Sequence, residues 1–538
     1  MPTRHPCCYN HTRISLVELI GERAGNNISF WERSAQKFRS APLYENLRVD
    51  VCVVGAGIAG MTTGYLLACE GRDVAIVDDG PVGGGMTGRT TAHLVNALDD
   101  RFYEIEKMLG KDAARIAAHS HTQAIDRIDE IVREENIQCD FERVDGYLFP
   151  PPGASAKNID EEYDAVLRAG LLQVQKLPEP PIIQDADGPA LRFPRQAQFH
   201  PLKYLNGLAS AIAQRGGRIF TGNRVVSIKG GESVRLETRE GYNIIAAAAV
   251  VATNSPINDR YVIHTKQAPY ASYVVTFRVG RDVIPHALFW DTAQTAEEEK
   301  QLLGPIPYHY VRLAPDGEED LLIVGGEDHK TAQAFDFDKR FARLEEWTRR
   351  HFPAVGQLVD RWSGQVLEPV DALAYIGPDP AGDENVYVVT GDSGNGMTHG
   401  TIAGILLTDL ITDCENAWAQ IYDPKRKTLK PIVIADYAKE NANVVAQLRD
   451  YLTSGDVSQA DEIKAGEGAL MRDGASKVAV YRDESGSLHR LSAVCPHVKC
   501  IVRWNASEKT WDCPCHGSRF DCLGHMVNGP ASADLEPI

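Results

Sequence analysis

The residues best suited to redox chemistry lie near the end of the 538-residue chain. They read Cys495-Pro496-His497-Val498-Lys499-Cys500 and Cys513-Pro514-Cys515-His516-Gly517-Ser518. Cys-x-His followed by Cys-x-x-His offers two thiolates and two imidazoles. Such a set suits a [2Fe–2S] centre in which two His replace two Cys on one iron, a change that lifts the potential to roughly −150 to +300 mV. It also suits a structural zinc with mixed Cys and His ligands. Zinc has no need of the second Cys pair, of Pro514 or of the trailing Gly-Ser, all of which are present.

A second set lies near the other end. Val49 to Val54 is a short apolar run that reads as a buried strand, and it leads into Gly55-Ala56-Gly57-Ile58-Ala59-Gly60. Met61 to Glu70 reads as a helix, and Arg72 to Val77 as a second strand ending in Asp78 and Asp79. In that order the glycines have distinct duties: Gly55 for the tight turn, Gly57 for backbone approach to a pyrophosphate, Gly60 for close helix–strand packing. The diphosphate would sit on the free N–H groups at the helix start. Asp78 is placed to accept from a ribose hydroxyl.

Three further stretches select among dinucleotides. They are Gly88-Arg89-Thr90-Thr91-Ala92-His93, the strand Val250-Val251-Ala252-Thr253-Asn254, and Val386 to Thr390 leading into Gly391-Asp392-Ser393-Gly394-Asn395-Gly396-Met397-Thr398. With the landmarks Asp145-Gly146-Tyr147-Leu148 and Phe199-His200-Pro201-Leu202-Lys203-Tyr204-Leu205, their order resembles the glycine/D-amino-acid oxidase (DAO) family of flavoproteins. The C-terminal boxes resemble a Rieske iron–sulfur domain, and the whole chain resembles the branch of the family that carries one.

The resemblance implies FAD and a Rieske [2Fe–2S] cluster as cofactors. The FAD contacts it implies are Gly55, Ala56, Gly57, Ile58, Ala59, Gly60, Asp78, Asp79, Arg89, Thr90, Thr91, Val225, Ala252, Thr253, Asn254, Gly391, Gly394, Asn395, Gly396, Met397 and Thr398. Some relatives attach flavin through a nearby His; His93 is displaced by one position, so non-covalent FAD is expected. For the cluster, Cys495 and Cys513 would hold one iron and His497 and His516 the other. Cys500 and Cys515 fall where many Rieske domains place a disulfide. High-potential members set a Ser and a Tyr hydroxyl against the cluster sulfurs; here Ser518 is present but Phe520 stands at the second position, which implies a lower or middle potential.

Family members pair a substrate carboxylate with an arginine on a substrate-domain strand. Arg312, after Tyr308-His309-Tyr310-Val311, is expected in that role, with Tyr147, Tyr308 and Tyr310 lining the pocket. The resemblance implies oxidation of a C–N bond in a small amine or amino acid. Hydride passes to flavin N5 and electrons leave singly through the cluster to an unidentified one-electron acceptor, so a dehydrogenase is expected more than an oxidase. Three rivals require other features. A Rieske oxygenase needs a two-His-one-carboxylate iron domain, expected after the cluster, where few residues remain. A nicotinamide-linked reductase needs a second strand–GxGxxG–helix unit, which the sequence lacks. A non-catalytic redox module would not need a long substrate-type sheet.

The elements that position these residues follow from periodicity. Ala114, Ala117, Ala124, Ile125, Ile128, Ile131 and Val132 recur at helical spacing, so 111–135 is expected to be an amphipathic helix. Segments 267–280 and 308–326 alternate and are rich in Tyr and Val, as strands of an antiparallel sheet would be. From about 457 onward short strands and turns dominate, with Asp483-Glu484-Ser485-Gly486 as a hairpin signal. The fold class is α/β (α+β): a Rossmann-like FAD-binding domain with an inserted antiparallel-sheet substrate domain, then an all-β Rieske domain. The expected boundaries are 1–27 as a flexible extension, 28–435 as the flavin domain, 436–456 as a connector and 457–538 as the Rieske domain. Nucleotide-binding pieces are expected at roughly 28–110, 195–262 and 360–435.

Composition narrows the partners. Hydrophobic residues are 43% and charged residues 24%, which fits a protein with sizeable cores. A formal charge of −18 argues against nucleic acid. No apolar run reaches the length of a membrane span, and residues 1–27 lack the apolar core of a secretory signal. Five of the 11 cysteines sit in the last 44 residues, a clustering that points to a cofactor and not to a disulfide framework. A cytoplasmic protein is expected, with the Cys500–Cys515 bridge sheltered by burial. Cys7 and Cys8 receive no role.

Overall fold

A computed structural model describes residues 25–151, 156–184, 186, 188–258, 262–292, 308–474 and 476–538. Cys7, Cys8 and the first 24 residues of the expected extension lie outside the described residues. Gly25 to Asn27 depart from the expectation of flexibility. Asn26 N donates to Glu508 O at 3.0 Å and Asn27 N to Glu508 Oε2 at 3.1 Å, so this segment is pinned to the far end of the chain.

The nucleotide sheet has eight strands. Its main path runs Tyr375–Pro378, Val386–Thr390, Asn243–Val251, Leu47–Val54, Val74–Asp78 and Arg218–Thr221, with the hairpin Val225–Lys229 and Val234–Thr238 attached. The strands from Val386–Thr390 to Arg218–Thr221 pair in parallel. Their runs of Val, Ile and Ala are buried on both faces, as a parallel sheet covered by helices requires. Helices Ile58–Cys69 and Gly396–Ile411 lie against one another on this sheet. They approach closely because Gly400 and Gly404 have no side chain: a Cβ there would sit 2.6 Å from Ile58 and 2.5 Å from Thr62.

The second sheet has nine strands. Its main path runs Leu358–Pro369, Gln267–Val279, Glu319–Lys330, Tyr310–Asp316, Ala287–Asp291, Glu142–Phe149, Ala190–Gln198 and His93–Leu94. The pairing is antiparallel except between Ala287–Asp291 and Glu142–Phe149. The expected nucleotide piece at 360–435 begins too early. Leu358–Pro369 pairs with Gln267–Val279 along the substrate sheet. Burial alternates over much of it, which marks a strand with one covered face, and the nucleotide sheet resumes only at Tyr375. The amphipathic helix spans Lys111–Glu134.

Helix Pro431–Gln447 leads to the C-terminal all-β part. That part holds a three-stranded sheet, Glu467–Asp473, Ser476–Arg482 and Leu488–Ser492. A four-stranded sheet follows: Arg503–Asn505, Thr510–Asp512, Arg519–Phe520 and Met526–Asn528. The turn at Asp483 forms as its residues dictate, with Asp483 Oδ1 accepting from Ser485 N and Ser487 N, each at 2.9 Å, and Gly486 at φ +90°.

Candidate functional site

The ends of the parallel strands open into a cavity of about 800 Å³ that reaches the substrate sheet. Gly55 (φ +106°) makes the turn at its floor, and a Cβ there would lie 2.4 Å from Ala252 O. Gly57 is the N-cap of helix Ile58–Cys69, and Thr87 Oγ1 accepts from Ile58 N at 3.1 Å. A Cβ at Gly60 would fall 1.9 Å from Gly55 O, so this glycine serves packing. The helix start therefore faces the cavity with bare backbone, a cradle for a pyrophosphate.

Most residues expected to contact FAD line this cavity: Gly55, Gly57, Ile58, Ala59, Asp78, Asp79, Arg89, Thr90, Thr91, Val225, Ala252, Thr253, Asn254, Gly394, Asn395, Gly396 and Met397. Four do not. Gly60 packs as described. Ala56 turns its N–H to Asp78 Oδ2 at 2.6 Å. Gly391 (φ +68°) makes a turn behind the wall. Thr398 Oγ1 pairs with His121 Nδ1 at 2.8 Å.

Arg89 reaches the wall, but its charge points elsewhere. Nε donates to Ser363 O at 2.5 Å, Nη1 to Asn27 O at 3.0 Å, and Nη2 lies 2.7 Å from Glu508 Oε1. Asp78 braces the glycine turn, accepting also from Gly80 N at 2.7 Å. Burial, and then the neighbouring Asp79, push its carboxyl upward. Met526, Val527, Asn528 and Gly529 of the C-terminal part also line the cavity. No local motif marks them, since they reach it only through the packing of two domains.

At the substrate-sheet end Arg312, expected to pair with a substrate carboxylate, lies off the cavity wall. Its guanidinium is buried and donates to Ala92 O at 2.8 Å, Phe199 O at 3.0 Å, Thr91 O at 3.3 Å and its neighbour Leu313 O at 3.1 Å. Trp31 packs on it at 5.2 Å. Its charge is used to tie the substrate strands to the loop before His93, and it does not line the cavity. Tyr147 is also displaced: it stacks on Phe289 at 5.6 Å, away from the wall. Tyr308 and Tyr310 do line the cavity, with ring centroids 5.5 Å apart. His93 lies between Thr91 Oγ1 at 3.0 Å and Val311 O at 3.3 Å; burial pushes its ring down to about 3, so it is neutral.

Acidic residues that sequence reasoning passed over gather at this end: Asp99, Asp100, Asp328, Glu368 and Asp392. Tyr308 donates to Asp99 Oδ2. Ser393 donates to Glu368 Oε2 at 2.7 Å and lies 3.3 Å from Asp100 Oδ2. Burial pushes Asp328 and Asp392 up to about 7. Burial and then Asp99 do the same for Asp100. Burial and then Asp100 push Glu368 well above the carboxylate range. The signal in the sequence was the doublet Asp99-Asp100 directly after a buried apolar run.

The two cluster boxes form adjacent loops. Cys495 N donates to Cys500 O at 2.8 Å, and Cys513 N to Ser518 O at 2.8 Å, which closes each loop on itself. Cys500 and Cys515 form a disulfide. The sulfurs of Cys500, Cys513 and Cys515 lie within 4.8 Å of one another, but the bridge leaves only that of Cys513 for a metal. Cys495 and Cys513 are free and buried. The rings of His497 and His516 meet edge-on at 5.0 Å. His516 Nδ1 is buried and makes no hydrogen bond, and burial pushes the ring down to about 3, so a neutral nitrogen is available to ligate. Two thiolates and two imidazoles in one dry pocket fit a [2Fe–2S] cluster. Ser518 Oγ accepts from Ala531 N at 3.0 Å, which leaves its proton for a cluster sulfur.

The loops rest on the flavin domain. His264 packs edge-on to His497 at 5.0 Å. Gln365, whose strand lines the cavity, donates from Nε2 to Gly517 O at 3.0 Å, next to His516. Gly517 (φ +78°) is required there, because a Cβ would lie 2.5 Å from Gln365 Nε2.

Comparison with known proteins agrees with this geometry. The family model for FAD dependent oxidoreductases (DAO) matches residues 50–410, and that for the Rieske [2Fe-2S] domain matches residues 454–538. The Bacillus subtilis (strain 168) protein YhfW, a Rieske 2Fe-2S iron-sulfur protein by name, is 31% identical over 517 residues, 95% of this chain and 97% of its own. Gamma-glutamylputrescine oxidoreductase of Escherichia coli (strain K12) is 27% identical over 399 residues, 71% of this chain and 88% of its own. The crystal structure of glycine oxidase from Geobacillus kaustophilus shares the fold, with a TM-score of 0.57 at 19% identity over 71% of this chain and 100% of that one. Among the described residues no helix is long and apolar enough to cross a membrane. The chain belongs to the DAO family of FAD-dependent oxidoreductases and carries a C-terminal Rieske [2Fe–2S] domain.

Proposed function

We propose that the protein is a dehydrogenase that oxidises the C–N bond of a small amine or amino acid and releases the electrons singly to a one-electron acceptor. When bound, FAD takes the electrons of the substrate C–H bond as hydride and the cluster carries electrons one at a time. The bare helix start at Gly57 to Ala59 and the loop Gly394 to Met397 would hold FAD. Cys495, Cys513, His497 and His516 would hold the cluster.

The observation that carries the reading is Gln365. Its strand walls the cavity, and its side chain donates to Gly517 O beside His516. One residue thus joins the two cofactor sites without intervening solvent, the arrangement that electron exit through the cluster needs. Tyr308 and Tyr310 line the cavity at the substrate-sheet end. The E. coli relative is named for gamma-glutamylputrescine, a molecule with a primary amine, which supports an amine among the candidates.

Anaerobic titration of the full-length holoprotein with amines and amino acids tests the reading. The flavin absorbance should bleach and the cluster signal should follow it. Flavin bleaching with a cluster that stays oxidised would remove the proposed exit.

A further inference from the structure

The substrate end of the cavity is acidic. Asp99, Asp100, Asp328, Glu368 and Asp392 line it. They interact: Glu368 lies in the field of Asp100, Asp99 and Asp328, and Asp328 in that of Asp99. The cation nearest to Asp99, Arg101, donates from Nη1 to Leu98 O at 3.1 Å and from Nη2 to Asp291 O at 3.3 Å. Buried carboxylates this close raise one another's proton affinity, and an unmatched charge among them is costly. A cation of the right shape relieves both.

Two further observations point to a ligand of that sign. First, Asp328 Oδ1 and Asp392 Oδ1 are buried against the cavity and make no hydrogen bond. Such a group costs on the order of 1–3 kcal/mol until something donates to it. Secondly, Arg312, the arginine expected to meet a substrate carboxylate, does not face the cavity. Arg312 is held by the carbonyls of Ala92, Phe199 and Thr91. At position 394 a Cβ would fall 1.5 Å from Asp99 Oδ2 and 2.9 Å from the Tyr308 hydroxyl, so the glycine-rich loop offers only backbone there. The wall has acceptors for ammonium groups, and its guanidinium beside Asp99, that of Arg101, is tied to the carbonyls of Leu98 and Asp291.

We propose that this site takes an aliphatic diamine or polyamine, with the ammonium remote from the reacting C–N bond held among Asp99, Asp328 and Glu368. The inference rests on the C–N oxidation proposed above and names its substrate class. The Asp99–Tyr308 hydrogen bond fixes one carboxylate, and the Ser393–Glu368 hydrogen bond fixes another. Asp328 Oδ1 completes a three-sided acceptor set for a group with three N–H donors.

The test uses the full-length protein loaded with FAD and cluster, and three probes: 1,4-diaminobutane, 1-aminobutane and glycine. Binding is read from the shift in the bound flavin's absorption spectrum, separately from its bleaching. The diamine should bind at least about tenfold more tightly than 1-aminobutane, and glycine most weakly. Asp328→Asn and Glu368→Gln should each bring diamine and monoamine to near parity, at an unchanged ratio of FAD to protein. Glycine binding more tightly than the diamine, or a diamine preference that survives both substitutions, would overturn the proposal. A diamine that binds with this preference but never bleaches the flavin would sink C–N oxidation and leave the cation site standing. A flavin bleached by glycine in a protein that ignores the diamine would do the reverse.

Discussion

Arg89 and Glu508 are separated by 419 positions in the chain, yet their side chains meet at 2.7 Å with 1% and 0% exposure. Glu508 sits in the hairpin between Arg503–Asn505 and Thr510–Asp512; Arg89 ends the loop that follows the second nucleotide strand. Ser363 adds two donors to Glu508 Oε1, from N at 3.1 Å and from Oγ at 2.6 Å. The cluster domain is therefore fastened to the flavin loop by a buried charge pair.

Removing one partner of a buried pair leaves the other uncompensated. Glu508→Gln should cost about 3–5 kcal/mol, read as a loss of the urea midpoint for the unit that holds both domains. The pair also sets an acid limit. Burial alone would raise the Glu508 carboxyl, but Arg89 and Arg519 beside it, with donors from Ser363 and Asn27, hold it below the ordinary range. A folded-state value below the unfolded one means the contribution is present above about pH 4.5, the unfolded range, and is lost as pH falls through the lower folded value. Glu508→Gln should flatten stability over that acid window. An unchanged acid profile would show that the pair does not link the domains.

Arg312→Met should lower stability and spare substrate affinity. It strips donors from carbonyls of Ala92, Phe199 and Thr91, at about 1–3 kcal/mol for each one left buried and unpaired. Thermal unfolding and KM, measured together, check this. A KM raised tenfold at unchanged stability would return Arg312 to the substrate.

The cluster ligands and the brace should separate under mutation. The purified protein should hold FAD and, per chain, about two irons with two labile sulfides, as a [2Fe–2S] centre requires. His516→Ala should abolish the Rieske electron-spin signal, because it removes a ligand. Cys500→Ser should leave a signal that is merely more easily lost on dilution or warming, because it opens only the bridge to Cys515. Equal loss in both variants would make the brace as essential as the ligand.

Phe520→Tyr should raise the cluster's midpoint potential. Phe520 is fully buried in the strand next to Cys513 and Ser518, and donors to the sulfurs stabilise the more negative reduced state. A redox titration that finds the potential unchanged or lower, with iron content intact, would dispose of this role for position 520.

Local chemistry was legible without a structure. The turn at Gly55, the helix start at Gly57 and the two cluster loops each fall within a few consecutive residues, so their spacing alone dictates which atoms meet. The helix over Lys111–Glu134 follows from periodicity, because one-sided burial leaves a regular trace, whereas the strand Gln267–Val279 is buried along nearly its whole length. What the tertiary structure decided is where long side chains direct their charge. Arg89 and Arg312 lie in positions that suit a cofactor and a substrate, and both instead face partners far away in the chain. A guanidinium goes to the nearest acceptors, and those are set by packing. The acidic wall has the same origin. Asp99, Asp328 and Glu368 come from three separate segments and form no pattern along the chain. They become one electrostatic unit only when the two sheets close over a single cavity, because the field between buried charges depends on their distance in space.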